Sequence, residues 1–210
     1  TAVVVVGGRL ADLLVSAESS RDAREAAKAV TATCKRITDR DARARPVIDA
    51  LLLAEGNAKK ALLGVLGSIG GDAALASVRS YLRDADAAVK DAALRALMEW
   101  PDDAAADELL YLARFGDSLK HKILALRGYV RVVGLPSDRK PKETLAMYRE
   151  GMSAAERPEE KRLVLAGLGE VHHIDCLAAL QEYARDAGLA GEASAALIKV
   201  AVAVRVSHKD

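Results

Sequence analysis

The sequence predicts an all-α fold, a right-handed α-solenoid (α-α superhelix) of about six antiparallel helix pairs. Three observations lead there. The stretch "RDADAAVKDAALRALMEWPDD", residues 83 to 103, joins an acidic turn, an alanine-rich amphipathic helix and a proline stop, and it has relatives along the chain. Those relatives recur at a nearly constant interval. The composition is 51% hydrophobic but only 3% aromatic, so Ala, Leu and Val carry the apolar content and suit closely stacked helices better than one large globular core.

Aligning the relatives on Leu97 puts Leu66 of "ALLGVLGSIGGDAAL", Tyr129 of "ALRGYVRVVG" and Leu168 of "VLAGLGEVHH" in the same place. "VTATCKRI" contributes Cys34 and "ALIKVAVAV" contributes Val200. These six anchors lie 32, 31, 32, 39 and 32 residues apart. Self-similarity with a period of roughly 20–50 residues is the signature of solenoids and propellers, and here the repeating segments have helical periodicity.

The 210 residues divide into units of about 9–37, 43–70, 71–101, 103–134, 142–171 and 174–204, together one repeat domain spanning 1–210. The third unit is the clearest. "GDAALASVRSYLRD" gives a first helix with Leu75, Val78 and Leu82 at spacings of 3 and 4. The turn "DAD" then sets carboxylates at the positive end of the second helix. That helix buries Val89, Ala93, Leu94, Leu97 and Trp100 before Pro101 stops it. Only "AVVVV" at the start and "VAVAVRV" near the end alternate like strands, and the latter is expected to form a buried final helix.

Among repeats of this length, the tetratricopeptide pattern of Trp, Leu-Gly and Tyr and the ankyrin "TPLHxA" are both missing. "DADAAVKDAALRAL", with its acidic turn, Val, basic residue and "AAxxAL", resembles instead the HEAT repeat, in its short bacterial form. The resemblance covers residues 9 to 204, and is strongest in units two to five, as expected where end units must face water. It implies scaffolding and protein binding.

Thirty-one basic against 30 acidic residues leave a net charge of +1, which disfavours a general nucleic-acid binder. No apolar run approaches the roughly 18–20 residues of a membrane span, so no span is expected. "TAVVVVGG" lacks the charged start and cleavage pattern of a signal peptide, and a chain beginning with Thr reads as a fragment or processed form. Cys34 and Cys176 are separated by four whole units in an array whose units touch only their neighbours, so they are expected to be unpaired. The redox compartment and localisation stay open.

A lysine stands seven residues before four of the anchors (Lys59, Lys90, Lys122, Lys161), with Ala27 and Ala193 in the end units. Acidic residues recur just upstream at Asp22, Asp86, Asp117 and Glu156, so these lysines are expected to pair with a neighbouring turn rather than to track a phosphate backbone. "HHIDC" (172–176) is too tightly spaced for one tetrahedral site, and no metal or other cofactor is expected. No phosphate loop, "GxSxG" or zincin pair occurs, and His121, His172, His173 and His208 stand apart from any nucleophile, so no catalytic residue is assigned and the chain is not expected to be an enzyme.

The candidate site is a surface. Lys120, Leu124, Arg127 and Arg131 follow at spacings of 4, 3 and 4 on one face of the fourth unit's second helix, opposite its buried side. The 39-residue interval adds "LPSDRKPK" here, and from Lys120 to Lys142 there are seven basic residues and one acid, Asp138. Arg95 and Leu163 flank the face from neighbouring units, and Arg139 and Lys140 on the loop, stiffened by Pro136 and Pro141, complete the partner-binding set. The expected partner is a protein, or another domain of the parent chain, bound on the concave face. The alternative is an anion or nucleic acid on the basic patch.

Overall fold

The computed structural model describes residues 2–16 and 19–207, which contain helices and connecting turns and no strand. The protein falls into two compact units, residues 1–105 and 106–210.

The first unit holds α1 (Ala2–Val15), α2 (Ser20–Cys34), α3 (Arg40–Leu53), α4 (Gly56–Ile69), α5 (Asp72–Tyr81) and α6 (Ala87–Met98). Consecutive helices pack as hairpins α1–α2, α3–α4 and α5–α6. Across hairpins, α1 packs on α3 and α3 on α5, while α2 packs on α4 and α4 on α6. The result is two layers, one of first helices and one of second helices. The second unit repeats the plan after a single 3-10 turn, Asp103–Ala105. Its helices are α7 (Ala106–Phe115), α8 (Leu119–Val133), α9 (Pro141–Ala154), α10 (Pro158–Leu168), α11 (Asp175–Tyr183) and α12 (Ala190–Ser207). There α7, α9 and α11 form one row and α8, α10 and α12 the other.

Local chemistry sets the helix ends. Asp39, Asp86 and Ser118 cap α3, α6 and α8 by accepting backbone N–H bonds from Asp41 and Ala42, from Ala88 and from His121. Pro141 and Pro158 open α9 and α10 at the position where a missing N–H costs nothing. Between α4 and α5 the chain reverses at Gly70 (φ 67°) and Gly71 (φ 104°), a backbone that side chains with a Cβ rarely adopt.

The core is aliphatic, and the six anchors sit at its centre. Cys34, Leu66, Leu97 and Val200 are fully buried, and Tyr129 and Leu168 nearly so. On α6, Val89, Ala93, Leu94 and Leu97 face inward, and Trp100 is buried just beyond its last turn. Tyr129 satisfies its hydroxyl by donating to the Met147 carbonyl at 2.7 Å. Small residues permit the close approach: a Cβ on Gly67 of α4 would lie 2.5 Å from the Ala96 carbonyl oxygen of α6.

Polar links join one hairpin to the next at separations near the sequence period. Asp41 accepts the Ala73 N–H at 3.0 Å, Lys122 pairs with Glu156 at 2.8 Å, and Arg114 pairs with Glu150. Lys142 reaches Asp175 at 3.5 Å and Lys199 pairs with Glu170. The Lys122–Glu156 pair is the lysine-to-turn contact that the spacing predicts. Lys59 instead stands over the Tyr81 ring, 5.9 Å from its centroid.

The strand-like stretch "AVVVV" lies within helix α1. One sequence expectation needs correction. The final helix α12 is not buried all round: Val200 is enclosed, but Ile198, Val202 and Val206 are exposed. Its apolar content outruns the surface that α10 and α11 cover.

Candidate functional site

The second unit presents α8, α10 and α12 side by side, with α7, α9 and α11 behind them. On α8 the inner side is closed by Ala125, Leu126, Tyr129, Val130, Val132 and Val133. Lys120, Arg127 and Arg131 are exposed on the other side, with Leu124 half-buried among them. The spacing of 4, 3 and 4 therefore does bring these four onto one face, because residues three and four apart are neighbours on a helix surface. Arg127 enters no ion pair among the described residues. Leu163 is half-buried on α10, and Glu170, two residues past its end, is held by Lys199.

The loop 134–140 has a structural task. Arg139 turns its guanidinium inward, donating to the Val133 carbonyl at 2.6 Å and to the Ser137 hydroxyl at 2.8 Å, with Met147 Sδ at 2.7 Å. The loop borders an open pocket of about 220 Å³ that Tyr148, Glu170 and Val171 also line. Lys140 is exposed just before α9, where its backbone N–H donates to the Glu143 carboxylate at 3.0 Å. Arg95 belongs to the first unit, on the exposed side of α6. There it edges a furrow of about 380 Å³ between α4 and α6, floored by Gly64, Ala88, Ala92 and Ala96 and rimmed by Lys60, Asp91 and Glu99. A second furrow of about 490 Å³ lies between α2 and α4 and shares Gly64. Neither furrow is legible in the sequence, because a run of Ala and Gly reads equally well as packing.

Among the described residues no group of three or more His, Cys, Asp or Glu could hold a metal ion. In "HHIDC", His173 Nδ1 accepts the Asp175 N–H at 3.2 Å, a turn contact at the start of α11, and Cys176 is fully buried. His208 lies outside the described residues. Both cysteines are free and buried, one in each unit. Burial pushes the Cys34 thiol up, and burial followed by the Asp175 carboxylate pushes Cys176 up to about 11, so neither is a ready nucleophile. No helix among the described residues is long and apolar enough to cross a membrane.

These features define an all-helical protein of packed helix hairpins whose second-helix row carries a charged and partly apolar outer face. No protein-family model matches the chain, and no curated protein matches it. Among solved structures it is similar to the crystal structure of an engineered protein from the Northeast Structural Genomics Consortium, with 18% identity, 94% of this chain and 97% of that chain covered, and a TM-score of 0.50. A likeness at that identity speaks to the helical fold alone.

Proposed function

We propose that the chain is an α-solenoid of about six HEAT-like helix pairs, and that it is an interaction scaffold rather than an enzyme. Its partner is another protein, or a neighbouring domain of a longer chain. The binding surface is the outer face of the second helices, centred on α8.

The observation that carries this reading is the segregation on α8. One side is closed by six buried residues, while Lys120, Arg127 and Arg131 are exposed around Leu124. Arginine forks give directional contacts to carboxylates, and a half-exposed leucine between them offers a dry anchor. The face is preformed by packing, so binding need not order the receptor. The balanced net charge favours a protein partner over a nucleic acid. The test reverses both arginines, Arg127→Glu with Arg131→Glu, and follows capture of the native partner alongside helicity and melting. Loss of capture with melting unchanged is the expected result, and capture at the wild-type level refutes the reading.

A further inference from the structure

The outer face of the second unit changes character from one helix to the next. Two residues before and two after the buried anchor, α8 carries Arg127 and Arg131. The matching positions are Ala166 and Glu170 at α10, then Ile198 and Val202 on α12. All six are exposed, and the three helices pack in the order α8, α10, α12. The row therefore runs from a cationic edge, across a low saddle at Ala166, to an aliphatic edge. Ile198 and Val202 keep 63% and 53% of their surface in solvent. They add nothing to the core, since Ala193, Ala196, Val200 and Val204 already close the inner side of α12. Glu170, the acid in the middle, is ion-paired with Lys199, which offsets part of its charge toward an anionic ligand.

We propose that this face binds an extended segment of a partner protein, with carboxylates at one end and a large apolar side chain at the other. The carboxylates sit on Arg127 and Arg131, and the apolar side chain sits on Ile198 and Val202. This deepens the function proposed above and rests on its reading of the α8 face. Packed helices lie about 8–10 Å apart, so the two edges are separated by two such steps, on the order of 18 Å. An extended chain advances about 3.3 Å per residue, which sets the spacing between the acidic and apolar ends at about five to six residues. Charge and apolar complementarity select this occupant over the others. A second copy docked over the whole face by a two-fold axis sets each arginine edge against the other copy's aliphatic edge or its arginine edge, and neither supplies a carboxylate. A nucleic acid finds phosphate partners at one edge only and leaves the aliphatic edge uncovered.

The test uses the full chain and a fluorescein-labelled nine-residue peptide with two glutamates, five uncharged residues and two leucines, read by anisotropy. Saturable binding is expected. It should weaken roughly tenfold or more with Arg127→Glu/Arg131→Glu and, separately, with Ile198→Ser/Val202→Ser. Replacing the glutamates by glutamines should add little loss on the arginine variant, because both changes remove the same contact. Cutting the spacer to one residue should also abolish binding. The proposal is overturned by no saturation up to about 1 mM peptide, or by binding indifferent to Ile198→Ser/Val202→Ser. It is equally overturned by dimerisation that these two substitutions abolish, or by a single-stranded oligonucleotide that displaces the peptide with a steep salt dependence. The two proposals fail separately. If reversal at Arg127 and Arg131 loses the native partner while Ile198→Ser/Val202→Ser retains it, the α8 reading stands and the extended-segment reading falls.

Discussion

Two glycines three residues apart on α4 should respond in opposite directions to the same substitution. At Gly67 an added Cβ lies 2.5 Å from the Ala96 carbonyl oxygen, 2.7 Å from its Cα and 2.9 Å from its carbonyl carbon. Comfortable carbon–carbon contact begins near 3.5 Å, so α4 and α6 must part by about 1 Å. The obstacle is backbone and has no rotamer to escape into. Overpacking costs about 1–3 kcal/mol, and a backbone clash belongs at the upper end of that range. Replacing a mid-helix glycine by alanine returns about 1 kcal/mol, leaving Gly67→Ala destabilised by about 2 kcal/mol. At Gly64 a Cβ meets nothing within 4 Å, so Gly64→Ala should gain the propensity term alone, about 0.5–1 kcal/mol. Urea unfolding followed by circular dichroism reads both. With a slope of about 2 kcal/mol/M, the midpoints of the two variants should differ by more than ~1 M. Equal shifts, or a stabilised Gly67→Ala, would refute the close approach of α4 and α6.

The remaining predictions concern the core and its titration. Leu97→Asp places an unpaired carboxylate at a fully buried position and should cost more than about 4 kcal/mol, whereas Arg127→Ala in solvent should stay within about 0.5 kcal/mol by the same urea assay. A large loss for Arg127→Ala would make that residue a structural partner and remove it from the site. Burial raises Cys176 from 9.0 to about 11 and Tyr148 to about 12, and it raises Tyr129 further. The folded state therefore holds protons that the unfolded state releases, so stability is full below pH 9 and falls as pH climbs through 9 to 11. Melting scans from pH 8 to 11 should show a plateau and then a decline that Cys176→Ala softens at its onset. A flat profile across that window would contradict the burial of these groups.

What the sequence reveals depends on whether burial follows from periodicity. The six anchors could be chosen by spacing alone because a residue that repeats every turn of a packed array must be enclosed, and all six are. The face on α8 was legible for the converse reason: charged residues at spacings of 3 and 4 opposite an apolar stripe must point outward. Ile198 and Val202 were not, since a helix apolar on every side reads as buried, and only the neighbours' positions reveal that no described residue covers one flank. The inward turn of Arg139 is hidden from the sequence for a similar reason. Its place in a basic loop suggests a surface cation, but the turn at 134–140 brings three internal acceptors within reach of its guanidinium. Gly64 and Gly67 are the same residue on the same helix, and only their distances to α6 separate an open furrow from a tight contact.

If the α8 face holds the partner, paired charge reversals on the two helix rows should separate it from the rest of the second unit's surface. Arg127→Glu/Arg131→Glu alters the second-helix row, and Arg149→Glu/Arg185→Glu makes the same change in net charge at exposed positions on α9 and just beyond α11. Both proteins and the wild type would be immobilised at equal density, and the native partner quantified after capture at physiological salt, with melting curves run on each. The α8 reversal should abolish capture, the first-helix reversal should leave it at the wild-type level, and all three proteins should melt together. Capture retained by the α8 reversal, or lost only when Arg149 and Arg185 are reversed, would contradict the α8 assignment.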